Sequence, residues 1–159
     1  MNTTKLIGLY YLKNRRVLQG DSVMFDIDNT LIDRETLQPF KPIIELLLEA
    51  KKMGYKIVIL TARPDYYENQ VATVNELKRN GITYNTLGYC SAEKKSDTKK
   101  YLQTTGHRFV LSVGDYWTDL TDSSEWLKLP DENEKYFMTS IASHSLSKLQ
   151  MQSLVRQQI

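Results

Sequence analysis

The sequence predicts an α/β domain whose parallel sheet is covered by helices on both faces. Three observations carry that expectation. After residue 40 the chain repeats one order three times: a helical run, a glycine, then an extended apolar run. Strands that alternate with helices imply parallel pairing. The extended runs "SVMFDI", "YKIVIL" and "RFVLSVG" are apolar on both sides instead of alternating with polar residues, as strands buried on both faces are.

The elements follow in order. "SVMFDI" is the first strand. "KPIIELLLEAKKMG" is a helix that starts near Pro42, a favourable first-turn residue, and stops at Gly54. "YKIVIL" is the second strand. "ENQVATVNELKRNG" is a helix ending at Gly81, with Val71, Val74 and Leu77 on one apolar stripe. "ITYNTLGYC" is the third strand, "SDTKKYLQTTG" a short helix ending at Gly106, and "RFVLSVG" the fourth strand. The first 20 residues and the stretch "LPDENEKYF" (129–137) carry no assigned element. In the tail, Leu146, Leu149 and Leu154 stand at helical spacing.

The chain's 159 residues suit one domain, 1–159, with a core of about 20–130 and extensions at 1–20 and 131–159. A net charge of +2 is too small to argue for nucleic acid or a membrane by itself. The single cysteine, Cys90, excludes an intrachain disulfide and permits a reducing compartment. Apolar runs such as "IIELLLEA" fall far short of the ~20 residues a membrane-spanning helix needs. At the N-terminus an apolar patch precedes Lys13, Arg15 and Arg16, the reverse of an export signal. The expectation is a cytoplasmic protein without a membrane partner. A homo-oligomer is permitted.

In sheets of this kind ligands bind beyond the carboxyl ends of the strands. The first strand delivers Asp26 and Asp28 to that edge, two positions apart and on the same side of an extended chain. The second delivers Thr61, and the fourth Asp115, with Asp119 four residues on. An aspartate carboxylate can attack phosphorus and form an aspartyl-phosphate. A second acid in the same pocket can hold the proton for the leaving group and later deprotonate water. A hard cation such as Mg²⁺ takes oxygen ligands, which Asp26, Asp115, Asp119 and the chain at Asp28 can offer. Thr61, with the backbone of Ala62 beside it, offers donors to a phosphate, and a lysine in "AEKKSDTKK" offers positive charge.

These residues in this order resemble the haloacid dehalogenase (HAD) superfamily of phosphohydrolases. The matching pieces are D-x-D-x-T at Asp26, Asp28 and Thr30, the strand-ending Thr61, Lys95, and G-D-x-x-x-D at Asp115 and Asp119. "KKSDTKKYL" followed by "VGDYWTDL" is similar to the class III/IIIB acid-phosphatase branch, which includes plant vegetative storage proteins. That likeness selects Lys95 over Lys94, because Lys95 precedes Ser96. Lys99 stands where the branch has arginine, and "LPDENEKYF" is a stretched form of its tail. The resemblance implies a Rossmann-like HAD fold and Mg²⁺ held by Asp26, Asp28, Asp115 and Asp119. It implies Asp26 as nucleophile, Asp28 as general acid and base, and Thr61, Ala62 and Lys95 as phosphate ligands. The gaps between Asp26 and Thr61 and between Thr61 and Lys95 leave no room for a cap domain. "LIDRETLQPF" would form a short flap.

Several of these residues have plainer readings. Lys94, Lys95, Lys99 and Lys100 could be one solvated helix face. Tyr66 and Tyr67 could be surface residues or a stacking platform for a base. Trp117 reads as a core residue, Cys90 as a buried small hydrophobe, and His107 as an ordinary histidine. The leading function is a Mg²⁺-dependent phosphomonoesterase acting on a small molecule or a nucleic-acid end. One alternative is a nucleic-acid 3′-end phosphatase or nucleotidase, because "TARPDYYENQVATVNELKRNGI" is similar to the phosphatase half of polynucleotide kinase-phosphatases. The other is a non-catalytic HAD-like binding protein.

Overall fold

The computed structural model describes residues 2–131. Nine main elements run through them: α1 (Asn2–Lys13), β1 (Asp21–Phe25), α2 (Lys41–Lys52), β2 (Lys56–Thr61), α3 (Tyr67–Arg79), β3 (Thr86–Tyr89), α4 (Lys95–Thr104), β4 (Arg108–Gly114) and β5 (Glu125–Lys128). The strands form one sheet in the order β3-β2-β1-β4-β5, every pair parallel. Strand order reverses between β1 and β4, and the carboxyl ends at such a switch point are where sheets of this kind take ligands. The helical tail reading lies outside the described residues.

The two faces of the sheet are covered unequally. Val23, Phe25, Ile57, Ile59, Leu111 and Val113 share a core with Ile43, Leu46 and Leu47 of α2, Leu12 of α1 and Leu77 of α3. Full burial of such a side chain is worth about 1.5–3 kcal/mol. On the other face Met24, Val58, Leu60 and Phe109 meet Leu102 of α4. A bulge in β4 puts two consecutive residues, Val110 and Leu111, into the same core. Ser22 pairs with Phe109 but Val23 pairs with Leu111, so Val110 is the extra residue.

Helix α2 begins with Pro42 in its first turn and is followed by Gly54 at φ +105°, the left-handed conformation that glycine adopts without strain. Helix α1, unassigned from the sequence, packs on α2 and β5. Its buried stripe is Thr4, Gly8 and Leu12. A β-carbon on Gly8 would come within 2.6 Å of a Leu46 methyl and 3.0 Å of one on Leu127, so glycine permits this close approach. Leu6 and Tyr10 face outward.

Two expectations need correction, and one element is added. Helix α3 does not bury Val71 and Val74. It buries Thr73 and Leu77, because its inner face meets a polar partner, Arg63. The third strand is confined to Thr86–Tyr89 and half-buried throughout, as suits the sheet edge. Strand β5 was not read from the sequence at all. Residues 31–40 do form a flap: Asp33 N–H donates to the Gln38 carbonyl (2.8 Å), and Asp33 Oδ1 accepts from the N–H groups of Glu35 and Thr36. Among the described residues this flap, α2, β2, α3, β3 and short turns fill the two gaps.

Candidate active site

Strand β1 ends at Phe25, and Asp26 continues its pairing by donating N–H to the Val113 carbonyl (3.1 Å). The chain then turns sharply. The Ile27 carbonyl accepts from the N–H groups of Thr30, Leu31 and Ile32, and Asn29 takes φ +59°, which asparagine tolerates. Beyond Phe25 the chain is therefore no longer extended when it reaches Asp28. Asp26 is buried. Asp28 is about one-third exposed, and its carboxylate is held bidentately by Arg63, Nε to Oδ2 at 3.1 Å and Nη2 to Oδ1 at 2.8 Å.

Asp26, Asp115 and Asp119 form the carboxylate cluster. One oxygen from each lies within 4.8 Å of the others, and all three residues are buried. The Asp28 carboxylate is not among them, so a contribution from Asp28 to a cation there would come from its backbone carbonyl, as the sequence reading has it. Asp119 reaches the cluster because Gly114 has no side chain. A β-carbon there would overlap Cβ and Oδ2 of Asp119. Lys95 opens α4 and donates to Asp26 Oδ1 (2.9 Å) and Asp119 Oδ1 (2.6 Å). Asp119 Oδ2 also accepts from the Tyr116 N–H at 3.1 Å.

The electrostatics follow from burial. Desolvation pushes Asp26 up to about 7, opposed by the Lys95 charge and reinforced by Asp115. Burial likewise raises Asp115 to about 6 and, with the Asp26 charge, Asp119 to about 6. Burial alone would lower Lys95, but the charges of Asp26 and Asp119 outweigh it, so this lysine stays protonated. Asp115 receives no such answer: both its carboxylate oxygens are buried without a hydrogen-bond partner. A buried, unpaired carboxylate is costly. Three converging carboxylates with one orphaned pair of oxygens fit a hard divalent cation, so Asp26, Asp115 and Asp119 are the residues that could hold one.

Thr61 ends β2 fully buried, and its hydroxyl accepts from the Arg63 N–H at 3.1 Å. Ala62 follows at the same edge. The lysine run is not one solvated face: Lys95 and Lys99, one turn apart, are buried, whereas Lys94 and Lys100 are exposed. Trp117 is not a core residue. It is 38% exposed, packs edge-on against Trp126, and has the Lys128 ammonium 5.4 Å from its ring centre. Cys90 is half-buried, not buried. Tyr66 and Tyr67 are exposed at the start of α3. His107 pairs through Nδ1 with the Ser22 hydroxyl (2.7 Å), far from the carboxylates in the fold.

Two residues were missed as parts of this site. Lys99 donates to the Ser112 hydroxyl (2.9 Å) and to the carbonyls of Asp119 (2.5 Å) and Thr121 (2.6 Å), tying the acidic loop to α4. Its spacing of four from Lys95 was the available signal. Arg63 sits in the quoted "TARP" run, but nothing in the sequence pairs it with Asp28.

Comparisons with known proteins agree with the fold. Two solved structures are similar: the class C acid phosphatase from Bacillus anthracis, and the same class of enzyme from Bacillus anthracis with tungstate bound. The first has a TM-score of 0.58 at 18% identity, covering 76% of this chain and 61% of that one. The second has a TM-score of 0.58 at 19% identity, covering 76% and 62%. This chain thus spans about three-fifths of the length of these structures. No curated protein sequence gives a significant match. Residues 33–137 match the family described as HAD superfamily, subfamily IIIB (Acid phosphatase), a stretch that holds Thr61, Lys95, Asp115 and Asp119 and begins after Asp26 and Asp28. Order of motifs, strand topology and family match converge: the chain belongs to subfamily IIIB of the HAD superfamily, the acid phosphatases.

Proposed function

We propose that this protein is a Mg²⁺-dependent phosphomonoesterase that works through an aspartyl-phosphate on Asp26. The observation that carries the reading is the buried cluster of Asp26, Asp115 and Asp119 with its orphaned Asp115 oxygens, placed at the carboxyl edge beside Lys95.

The Asp26 carboxylate attacks phosphorus while the bond to the leaving oxygen breaks, and Asp28 supplies that oxygen with a proton. Water then attacks phosphorus and gives a proton to Asp28. The bond to Asp26 breaks, its electron pair returning to the carboxylate. The Thr61 hydroxyl, the Ala62 backbone and the Lys95 ammonium hold the phosphoryl oxygens, and Lys95 also keeps the Asp26 and Asp119 charges compatible at close range. A divalent cation bound by Asp26, Asp115 and Asp119 would neutralise negative charge between nucleophile and phosphate. The tungstate bound by the Bacillus anthracis enzyme is a tetrahedral oxyanion, and competitive inhibition by tungstate is expected here too.

A panel of nucleotides, sugar phosphates, phosphopeptides and 3′-phosphorylated DNA tests the reading. Turnover should vanish on chelation and return with Mg²⁺. A protein inert towards the whole panel, yet still binding Mg²⁺, would instead be a non-catalytic binder.

A second reading is supported by Tyr66 and Tyr67, which are 56% and 75% exposed just beyond Thr61. Aromatic rings at an uncapped mouth suit a nucleotide or a nucleic-acid 3′ end. That reading requires a preference for base-containing esters. A nucleic-acid substrate would also show a steep loss of affinity with salt.

A further inference from the structure

Arg63 holds Asp28 with two parallel hydrogen bonds, Nε to Oδ2 and Nη2 to Oδ1. Its remaining terminal nitrogen, Nη1, reaches back to Glu76 Oε1 (2.7 Å) and the Thr73 hydroxyl (3.3 Å) on α3. The arginine side chain is 15% exposed, as is that of Glu76. The guanidinium therefore bridges one carboxylate at the mouth and one on a buried helix face. Its own N–H is bound to the Thr61 hydroxyl, which fixes the start of the side chain as well as its end. Thr73 and Glu76 turn inward at the expense of Val71 and Val74, so α3 is oriented by this arginine.

Among the described residues the Asp28 side chain takes its hydrogen bonds from Arg63. Asp28 follows the sharp turn after Ile27, with Asn29 beside it in the left-handed region, and its carboxylate is not one of the three that cluster. Arg63 is what fixes the direction of its carboxylate. Two N–H donors occupy one lone pair on each oxygen, and a carboxylate offers about four acceptor positions. The clamp thus sets Asp28's orientation and leaves acceptor capacity for a water molecule.

We propose that Arg63 is a positioning residue for the second half-reaction, holding Asp28 where it takes the proton from the attacking water. This rests on the aspartyl-phosphate reading above. In that step the water oxygen bonds to phosphorus, a water proton passes to Asp28, and the phosphorus–oxygen bond to Asp26 breaks. A loosened Asp28 leaves the phosphorylated enzyme waiting for water. The guanidinium is a planar fork, and lysine cannot reproduce its bidentate grip.

The test is rapid-mix turnover of p-nitrophenyl phosphate with Mg²⁺, whose leaving group departs without needing a proton. Acid-quenched protein is weighed by mass spectrometry for a bound phosphoryl group. Asp28→Asn is the positive control and should accumulate the adduct. Arg63→Gln should show a nitrophenolate burst and accumulate adduct, with steady turnover reduced roughly 10- to 100-fold. Arg63→Lys keeps the charge that Glu76 faces and loses the fork, so it should accumulate adduct to a lesser extent. It decides the matter if the glutamine variant fails to fold. A folded Arg63→Lys that turns over without burst or adduct, while Asp28→Asn accumulates it, overturns the role of Arg63. Absence of adduct in Asp28→Asn itself overturns the aspartyl-phosphate reading, and the role given to Arg63 with it.

Discussion

Strand β1 carries a buried aspartate at its start, and another follows its end. Asp21 and Asp26 are 1% and 6% exposed, yet their surroundings are opposite. Asp21 accepts from the Leu18 N–H (2.8 Å), Arg15 Nη1 (2.9 Å) and Arg108 Nε (2.7 Å). Burial would push its carboxyl up, but these donors outweigh burial and hold it below the usual range. Asp26 shares one lysine with Asp119, lies against a third carboxylate, and is pushed up to about 7. A buried charge that is fully answered holds a fold together. One that is left short is stable only with something else present, and that is the mark of a site.

Exchanging either carboxylate for an amide gives the largest separation. Asp26→Asn should reduce phosphatase turnover by roughly 10³-fold or more, since the amide cannot form the covalent adduct. In the metal-free state it should leave the melting temperature unchanged or raise it, because a repelled charge has gone. Asp21→Asn should do the reverse, keeping turnover and costing about 1–3 kcal/mol in urea unfolding. Equal losses of stability in both would end the contrast.

The second prediction uses pH. Asp26, Asp115 and Asp119 have folded values above their ordinary one, near 7, 6 and 6. Stability from such groups is fully present below about pH 4 and is lost as pH rises through 6–7. Lys95 contributes evenly across that window, because it is protonated in both states. Lys99, lowered by burial to about 8, is charged in both states below pH 7. Asp21 acts oppositely, losing its contribution as pH falls below about 4, and His107, lowered by burial, loses its own as pH falls below the ordinary histidine range. Metal-free protein should therefore melt highest near pH 4 and roughly 5 °C or more lower at pH 7.5. Saturating Mg²⁺ should remove most of that fall. A flat profile without metal would mean the cluster is not short of positive charge.

How much of this was legible in the sequence depended on whether a signal was local. Strands β1, β2 and β4 are continuous apolar runs ending in polar residues, so their number, direction and edge chemistry could be read. Helix α1 could not. Its buried stripe is Thr4, Gly8 and Leu12, and its larger residues Leu6 and Tyr10 face out, so it lacks an apolar periodicity. Helix α3 misled for the opposite reason. Its valines make an attractive stripe, but the Arg63–Glu76 pair turns the polar side inward, and a long-range ion pair leaves no periodic trace. The pairing of Asp28 with Arg63 was not legible either, because the alternation rule holds only while a strand continues, and this one ends at Phe25.

A third prediction concerns the seat of Asp119. Gly114→Ala places a β-carbon where the Asp119 side chain folds back. The aspartate must then leave Lys95, the Tyr116 N–H or both. Mg²⁺ affinity measured by calorimetry should fall about 10-fold or more, with the sheet intact by circular dichroism. Unchanged affinity would place the cation elsewhere than between Asp26, Asp115 and Asp119.

The smallest expected effect lies at the other end of β1. Arg108 donates to Asp21 through a side chain that is 54% exposed, whereas Arg15 is 30% exposed and the Leu18 N–H is part of the backbone. A half-exposed ion pair is screened by solvent and worth little, about 0–1 kcal/mol. Arg108→Ala leaves Asp21 with two donors, so urea unfolding should shift by less than about 1 kcal/mol, and the shift should shrink further in high salt. A larger loss would mean that Asp21, like Asp26, depends on a single cation, and that the two ends of β1 differ in charge balance less than their donors suggest. A small loss would show redundancy at the structural end, which the cluster around Asp115 lacks.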